Sequence, residues 1–301
     1  MPVEEKRTLG FDAPDAKRLR VILDTDTACE ADDPFAVAHA LMSPKLMVQA
    51  IVAAHFAQEG SMEKSRVAAE NITRAMCIAV PVLAGEEYPL DPHAPPSPGV
   101  LRIIEEARKE DPHPLFILCM GALSNVARAL REAPDIIGRI TIITIGGNPY
   151  DAEPPRYREF NFGNDIDAAN TVLFSGADVW QIPNHVYCRA RVSLAELEYK
   201  VAPCGAIGSY LFRQMAAYSI SPAAGWAPAE SWALGDNPAV GAALHPDYGS
   251  RTRIPAHRVR QDTGYEKDGD GPMITVYQDI DQRYLLEDFF AKLRLCYGPQ
   301  G

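Results

Sequence analysis

The amino-acid sequence predicts an α/β fold built on a doubly wound, mostly parallel β-sheet. Four short apolar runs rich in Ile, Val and Leu occur in the first half of the chain, and segments with helical spacing lie between them. Charged residues, Gly or Pro bound each run. Near-continuous apolar runs are typical of strands buried on both faces of a parallel sheet, and their alternation with helices indicates βαβ units.

The first half of the chain supplies most of this predicted sheet. In chain order the predicted strands are LRVILDTD (19–26), VQAIVAAH (48–55), PLFILCMGAL (114–123) and ITIITIGGN (140–148). Predicted helices, recognised by apolar residues at i, i+3 and i+4, span 33–42, 62–79 and 123–138. The second half is less regular. There we predict a helix followed by a strand in 169–183, a helix in 205–220, exposed loop and hairpin in 245–272, and a closing helix in 283–293.

Length and composition predict a single domain over residues 1–301, in which 1–18 form a poorly ordered or peripheral segment. The chain has 301 residues, of which 47% are hydrophobic, and this is an ordinary size for one α/β core. The formal net charge of -11 argues against a nucleic-acid partner, because phosphate binding needs clustered Lys and Arg. A small neutral substrate or a metal cation fits this charge better.

The cysteines and the apolar runs predict a cytoplasmic location. The six cysteines show no CxxC pair and lie mostly in apolar segments, as reduced buried thiols do. The N-terminal stretch lacks the apolar core of a secretory signal, and no apolar run reaches the length of a membrane span. We therefore expect no membrane partner.

Acidic side chains crowd the end of the first predicted strand. They are Asp24, Asp26, Glu30, Asp32 and Asp33. Ligands of doubly wound sheets bind beyond the carboxyl ends of the strands. Carboxylates forced together there repel one another, so either their pKa values rise or a cation neutralises them. Oxygen ligands favour calcium or magnesium, whereas zinc usually takes His and Cys. The sequence therefore predicts a metal or polyol site.

Three other interpretations of this stretch explain it less well. Asp32 and Asp33 could cap the next helix, with Pro34 in its first turn, but capping does not account for five acids. An EF-hand is excluded because its register of acidic residues is not present. A phosphotransfer site of the haloacid-dehalogenase type, with Asp24 as nucleophile, would need Thr or Val where Ala28 stands.

The sequence resembles the inosine-uridine-preferring nucleoside hydrolase family in four motifs that follow in order between residues 21 and 243. They are DTDTACEADD, MGALSNVARAL, EFNFGNDIDAAN and GDNPAVGAAL. The first and third are the most specific. The first is two residues longer than the usual family motif and is similar to a divergent branch that reads DTDxxxExDD. The resemblance implies a nucleoside-hydrolase-like fold with a Rossmann-like core.

The resemblance also implies an activity. It is calcium-dependent hydrolysis of the N-glycosidic bond of a ribonucleoside, or a related riboside, to ribose and free base. Such an enzyme serves purine or pyrimidine salvage, and members of the family are commonly homodimers or homotetramers. The alternative is a metal-dependent ribose- or polyol-binding protein of the same fold that has lost catalysis.

Residue by residue, the resemblance implies a calcium ion held by Asp26, Asp33, the backbone carbonyl of Met120, and Asp236. Asp26 would also be the general base for a water on the same ion. The remaining roles are as follows: Asp32 binds the ribose 2′- and 3′-hydroxyls, Glu159 and Asn161 hold the 5′-hydroxyl, and Asp24 orients its neighbours. A carboxylate-rich pocket suits this chemistry, because it stabilises an oxocarbenium-like ribosyl cation.

These roles have structural alternatives. Glu159 and Asn161 could tie down a loop, Asp236 could cap the helix that follows it, and Asn125 is expected to be a turn or cap residue.

The chain departs from the family pattern at three places. Gly235 stands where the family often has a His proposed to protonate the leaving base, so stacking by Trp232 or Trp226 is the expected substitute, unless both pack in the core. Glu30 lies in the longer first loop and could add a ligand or reposition Asp32.

The third departure is His55, which stands where an Asn that contacts ribose is expected. His55 is a candidate ribose or base contact, and Asn148 could replace another missing Asn.

Overall fold

The computed structural model describes residues 6–91, 93–266 and 270–299. Its centre is an eight-stranded sheet. In spatial order the strands are Val82–Ala84 (β3), Leu46–Ala53 (β2), Leu19–Thr25 (β1), Leu115–Met120 (β4), Ile140–Ile145 (β5), Asp178–Ile182 (β6), Met273–Tyr277 (β10) and Arg251–Pro255 (β9). Only β9 runs antiparallel to its neighbour among these strands. Arg191–Ser193 (β7) and Ser231–Ala233 (β8) form a separate antiparallel pair.

Helices connect the strands. The longer ones are Asp33–Met42 (α1), Ser61–Met76 (α2), Pro98–Arg108 (α3), Ser124–Glu132 (α4), Gly205–Ser219 (α9) and Gln282–Tyr297 (α11). The shorter ones are Phe160–Asn164 (α5), Ile166–Leu173 (α6), Asn184–Tyr187 (α7), Leu194–Lys200 (α8) and Asn237–Leu244 (α10). None of the helices in the described ranges is both long and apolar enough to cross a membrane.

The sheet is covered on both faces, as its apolar strands require. Along β1, Val21 and Leu23 belong to a hydrophobic cluster that includes α1, α10 and α11, whereas Ile22 belongs to a second cluster with α3, α4 and α6. Successive strand residues point to opposite faces, so both faces of a strand buried in this way must be apolar. The predicted doubly wound, mostly parallel α/β fold is confirmed.

The strand order determines where a ligand can bind. From β1 the chain moves outward to β2 and β3, then returns to place β4 on the other side of β1 and continues outward to β5 and β6. The direction of winding therefore reverses between β1 and β4. In an open α/β sheet, the crevice at the carboxyl ends of the two strands that flank such a switch point is the usual ligand site.

Most predicted elements of the first half are present, with boundary shifts of a few residues. The helix predicted for 123–138 ends at Glu132, because Pro134 opens a separate 3₁₀ turn. β3, α3 and β10 were not predicted from the sequence. Residues 1–5 lie outside the described residues, and after them Arg7 donates its backbone N–H to the carbonyl of Cys296 at 3.1 Å.

Candidate active site

The acidic motif lies at the switch point. Asp24 and Thr25 end β1, Asp26 follows directly, and Thr25 pairs in register with Met120 at the end of β4. A Cβ added at Gly121 would lie 2.9 Å from the carboxyl carbon of Asp26. Gly121 therefore allows the backbone after β4 to approach Asp26 closely.

A second segment, distant in sequence, completes the carboxylate group. α10 packs against α1, and Asp236 immediately precedes α10. One carboxylate oxygen from each of Asp32, Asp33 and Asp236 lies within 4.8 Å of the others. Asp33 accepts a hydrogen bond from the Thr25 hydroxyl and contacts the carboxyls of Asp26 and Asp236. We call Asp26, Glu30, Asp32, Asp33 and Asp236 the acidic cluster.

The pKa values of the acidic cluster are raised. Burial raises the pKa of Asp33 to about 6, although hydrogen bonds from Thr25 and its neighbours oppose this. Burial and the charge of Asp33 raise the pKa of Glu30 to about 7. Burial, followed by repulsion from neighbouring acids, also raises the pKa values of Asp26, Asp32 and Asp236. The protein alone therefore does not neutralise these charges.

Helix capping does not account for the acids. Asp32 and Asp236 occupy the N-cap positions of α1 and α10, but neither side chain makes a capping hydrogen bond. The Asp32 carboxylate instead accepts the backbone N–H of Gly235 at 2.9 Å, which joins the two acidic segments. The capping alternative is therefore wrong for these two side chains.

The cluster has the donor set of a hard cation. Oδ2 of Asp26 is buried and has no hydrogen-bond partner among the described residues. Buried polar atoms without a partner are uncommon and often mark the place of an ion or water. Several carboxylate oxygens converge here, and such ligands suit calcium or magnesium. The three mutually close acids include Asp32, to which the resemblance assigned ribose rather than metal.

A cavity of about 70 Å³ opens over this cluster. All five residues of the cluster line it, together with Met120, Phe160, Asn161, Tyr187 and Gly235. This volume can hold a cation and a few water molecules, and small-molecule pockets are usually several times larger. A nucleoside would therefore have to extend from the cavity into its mouth, where the Phe160 side chain is 42% exposed.

Asp24 is not among the described residues that line the cavity. Its Oδ1 accepts Nδ2 of Asn125 at 2.8 Å, and Oδ1 of Asn125 accepts the backbone N–H of Glu86 at 2.6 Å. Burial raises the pKa of Asp24 to about 7, against the lowering effect of Asn125. Asn125 therefore has a structural hydrogen-bonding role, but it lies inside α4 and is not the turn or cap residue that was expected.

Glu159 and Asn161 are close to the cavity in different ways. Glu159 is fully buried, is not among the described lining residues, and caps α5 by accepting the N–H groups of Asn161 and Phe162 at 3.3 and 2.9 Å. Asn161 lines the cavity and donates from Nδ2 to the carbonyl of Ile145 at 3.0 Å. The expected loop-tying contacts are therefore present for both.

Two polar candidates point into other networks. Nδ1 of His55 accepts the N–H of Ala57 at 3.1 Å, and Nε2 lies 2.7 Å from the hydroxyl of Ser124. Asn148 donates to the hydroxyl of Thr263 at 2.9 Å. Neither is among the described residues that line the cavity.

The aromatic candidates differ in exposure. Trp232 is only 3% exposed and packs edge-on against Tyr218 with ring centroids 5.4 Å apart, so it is a core residue outside the cavity wall. Trp226 is 68% exposed, and its ring centroid lies 5.3 Å from that of Trp232. Two aromatic lining residues, Phe160 and Tyr187, were not predicted from the sequence. Phe160 was available as the middle residue of the EFN motif, whereas Tyr187 belongs to no motif.

A doubly wound sheet with a carboxylate-lined cavity at its switch point defines an α/β protein with a candidate acidic ligand site. The family model described as "inosine-uridine preferring nucleoside hydrolase" matches residues 21–287. The chain therefore belongs to this family, and the resemblance seen in the sequence is confirmed. The family comprises N-ribosyl hydrolases, which are metal-dependent in general.

Individual relatives agree with this assignment. The pyrimidine-specific ribonucleoside hydrolase of Salmonella arizonae is 27% identical over 203 residues, an alignment that covers 60% of this chain and 65% of that protein. The chain thus spans slightly less than two thirds of this relative.

Two solved structures share the fold. A plant nucleoside hydrolase has a TM-score of 0.74 at 20% identity, covering 91% of this chain and 98% of the other. The purine-preferring ribonucleoside hydrolase from Gardnerella vaginalis has a TM-score of 0.72 at 23% identity, with the same coverages.

Proposed function

We propose that this protein is a calcium-dependent ribonucleoside hydrolase that cleaves the N-glycosidic bond to give ribose and free base. One observation carries the proposal: in a chain of this family, buried carboxylates converge on one cavity at the switch point of the sheet. The relatives' names support a riboside as substrate, while their differing base preferences leave the base open.

Asp26, Asp33, Asp236 and the carbonyl of Met120 are the proposed calcium ligands, and all four residues line the cavity. When bound, the cation supplies the positive charge that this cluster lacks and makes a nearby water easier to deprotonate. Asp32 is the proposed partner of the ribose 2′- and 3′-hydroxyls. Its carboxylate is already oriented by the N–H of Gly235.

The proposed reaction begins when Asp26 takes a proton from a water molecule. The water oxygen forms a bond to C1′ of the ribose as the bond from C1′ to the base nitrogen breaks. The carboxylates of the cluster stabilise the positive charge that develops on the sugar ring. The departing base takes up a proton, and Gly235 has no side chain to deliver it.

Leaving-group handling therefore falls to other groups. Phe160, which lines the cavity and is 42% exposed, is the proposed stacking partner of the base, whereas Trp226 is not among the described residues that line the cavity. A nucleobase held in this way can accept its proton from solvent.

The experiment compares three substrates with and without calcium. Inosine, uridine and p-nitrophenyl β-D-riboside are incubated with the protein in calcium or in EDTA, and release of base or nitrophenol is followed. Turnover that requires calcium supports the proposal. Turnover of the nitrophenyl riboside alone would indicate working water activation with altered leaving-group handling. If none of the three substrates is turned over but calorimetry detects ribose binding in calcium, the ribose-binding alternative, which Gly235 favours, replaces the proposed hydrolase function.

The other features remain proposals at the same level. We propose one domain, a cytosolic location and a role in nucleoside salvage as a homodimer or homotetramer. The six cysteines are all unpaired, which supports the cytosolic location.

A further inference from the structure

A fully buried histidine joins three helices. His39 lies in α1, the helix that begins with Asp33, and its side chain has no exposed surface. Its Nε2 lies 2.8 Å from Oδ2 of Asp288 in α11, and its Nδ1 lies 3.3 Å from Nδ2 of Asn237 in α10. The imidazole therefore connects α1 to both α10 and α11 through polar contacts.

The partners of His39 determine which of its nitrogens carries the proton. A carboxylate can only accept, so Nε2–H donates to Asp288, and Nδ1 is left to accept the amide of Asn237. Burial lowers the pKa of His39, against the raising effect of Asp288, so the ring is neutral at neutral pH. The Phe289 ring packs edge-on against the imidazole with centroids 5.6 Å apart. His39 is thus held in one orientation, with its acceptor directed at Asn237.

The two residues that flank Asp236 are both bonded to α1 or to its N-cap. On one side, the backbone N–H of Gly235 donates to Oδ2 of Asp32 at 2.9 Å. On the other side, Asn237 donates to His39, and this is the only hydrogen bond of the Asn237 side chain among the described residues. Its Oδ1 is buried without a partner. Asp236 is therefore held between two anchored neighbours.

The second of these anchors opposes a repulsion. Carboxylate oxygens of Asp32, Asp33 and Asp236 lie within 4.8 Å of one another, and like charges this close repel when no cation lies between them. This repulsion acts to separate the beginning of α10 from the beginning of α1. In the described part of the chain, the bond from Asn237 to His39 is the one side-chain hydrogen bond between these two helices.

We propose that His39 is a positioning residue of the cation site, and that its hydrogen bond to Asn237 sets the affinity for calcium. The bond holds Asp236 where it can share a cation with Asp33, while the bond to Asp288 keeps the imidazole in place. The inference rests on the calcium site of the proposed function, but not on the hydrolysis of any substrate. It gives a role to a residue that touches neither the cation nor a riboside.

Two substitutions at position 39 separate the two bonds of the imidazole. The amide oxygen of Asn lies close to the place of Nδ1 in His, and the longer Gln carries its amide nitrogen to the place of Nε2. His39→Asn therefore keeps an acceptor for Asn237, whereas His39→Gln keeps a donor for Asp288. Both variants lose one buried hydrogen bond, so both should unfold at a lower temperature than wild type in EDTA.

Calorimetry with calcium alone is the decisive measurement. His39→Gln should weaken calcium binding about tenfold, as loss of a residue that orients a metal ligand does. His39→Asn should bind calcium as wild type does. Ser43→Ala is the control, because the Ser43 hydroxyl accepts Nζ of Lys292 at 3.0 Å, and this Nζ also donates to Asp288. The control belongs to the same network and should lose stability in EDTA while its calcium affinity stays unchanged.

A double-mutant cycle examines the same bond from its other end. Asn237→Leu removes the amide at similar volume and should also weaken calcium binding about tenfold. Combined with His39→Gln, it should cause no further loss, because both substitutions break one bond. Additive losses would overturn the inference, and so would equal calcium affinity in His39→Gln and His39→Asn. If the His39 variants do not fold, wild-type calcium affinity in Asn237→Leu would overturn it.

Failure of the proposed function gives a different result. If wild type binds calcium but turns over no riboside, the hydrolase function fails, and the calcium affinities of the two His39 variants still decide this inference. If wild type binds no calcium in the calorimeter, the proposed calcium site and this inference fail together. If wild type is active and both His39 variants bind calcium as wild type does, only this inference fails.

Discussion

Two buried polar clusters lie near the same edge of the sheet, and they differ in how their polar atoms are satisfied. Beside β2 and β4, His55 contacts the hydroxyl of Ser124, which donates to Asp165 at 2.6 Å, and Asp165 also accepts the N–H groups of Leu90 and Ala168. In the acidic cluster, beside β1, carboxylates face one another with few donors between them. The first cluster is complete within the protein, whereas in the second the pKa values of the facing carboxyls are raised.

The two clusters are expected to contribute differently, the satisfied network to stability and the acidic cluster to ligand binding. A satisfied network in a protein interior positions its elements, and removing one member leaves others unpaired. An unsatisfied group of like charges weakens the folded state until a ligand binds. Changes in the two clusters should therefore affect different measurements.

The largest expected effect is on turnover, from Asp26→Asn. Loss of the proposed general base should lower kcat on p-nitrophenyl β-D-riboside by about 10²–10⁴-fold. The fold should persist, and thermal unfolding in EDTA should occur no lower than in wild type, since one repelling buried charge has been removed. Turnover close to wild type would show that Asp26 is not the base.

Calcium removal should have the next largest effect. At calcium a hundredfold above its Kd, binding to the folded state alone stabilises it by about 2.7 kcal/mol. Thermal unfolding measured in calcium and in EDTA should show this shift for wild type, and Asp236→Asn should reduce it. Asp247→Asn, whose side chain is 77% exposed, is the control that should keep the whole shift. An equal shift in wild type and Asp236→Asn would remove Asp236 from the proposed ligands.

Ser124→Ala should have the opposite pattern. The substitution removes the hydroxyl that hydrogen-bonds both His55 and Asp165. Each buried polar group left unpaired costs about 1–3 kcal/mol of stability. Urea unfolding should show lower stability, while the calcium shift and kcat/KM stay close to wild type. A large loss of activity with unchanged stability would contradict the division between the clusters.

The last expected effect is a pH dependence of the metal-free protein. The pKa values of Asp33 and Glu30 are raised from 3.8 to about 6 and from 4.5 to about 7. For acids with raised folded-state pKa values, stability is fully present below the unfolded pKa and is lost as pH rises through the folded pKa. The slope is on the order of 1 kcal/mol per pH unit for each titrating group.

This pH effect is measured as the calcium-induced shift in unfolding temperature. The shift should grow between about pH 4 and pH 7, because the ion binds the charged carboxylates. A shift that is constant over this range would contradict the raised pKa values.

The first half of the fold could be predicted from the sequence because each parallel strand there is a nearly continuous apolar run. β10 was missed because it is a five-residue strand that follows an irregular polar segment, and its place beside β6 depends on pairing across 90 residues of chain. β3 has only three residues, too few for any periodicity to be visible.

The acidic part of the site was predictable, since five acids after one strand have few structural explanations. The aromatic part was not. Trp232 and Trp226 are the same residue type in one short stretch of sequence, yet Trp232 is in the core and Trp226 is exposed, because tertiary packing decides burial. Tyr187 could not be found at all, since its place on the cavity wall exists only after distant segments come together.

The two margins of the sheet also have a consequence for the behaviour of the protein at high concentration. One margin is β3, which is three residues long, and the other is β9, which carries exposed Arg251 and Arg253. Unpaired backbone groups on a long, flat, apolar border invite strands from other molecules and lead to fibrils. A short edge strand on one side and a positively charged edge strand on the other disfavour such pairing. Molecules of this protein can therefore stay separate in solution although the sheet does not close into a barrel.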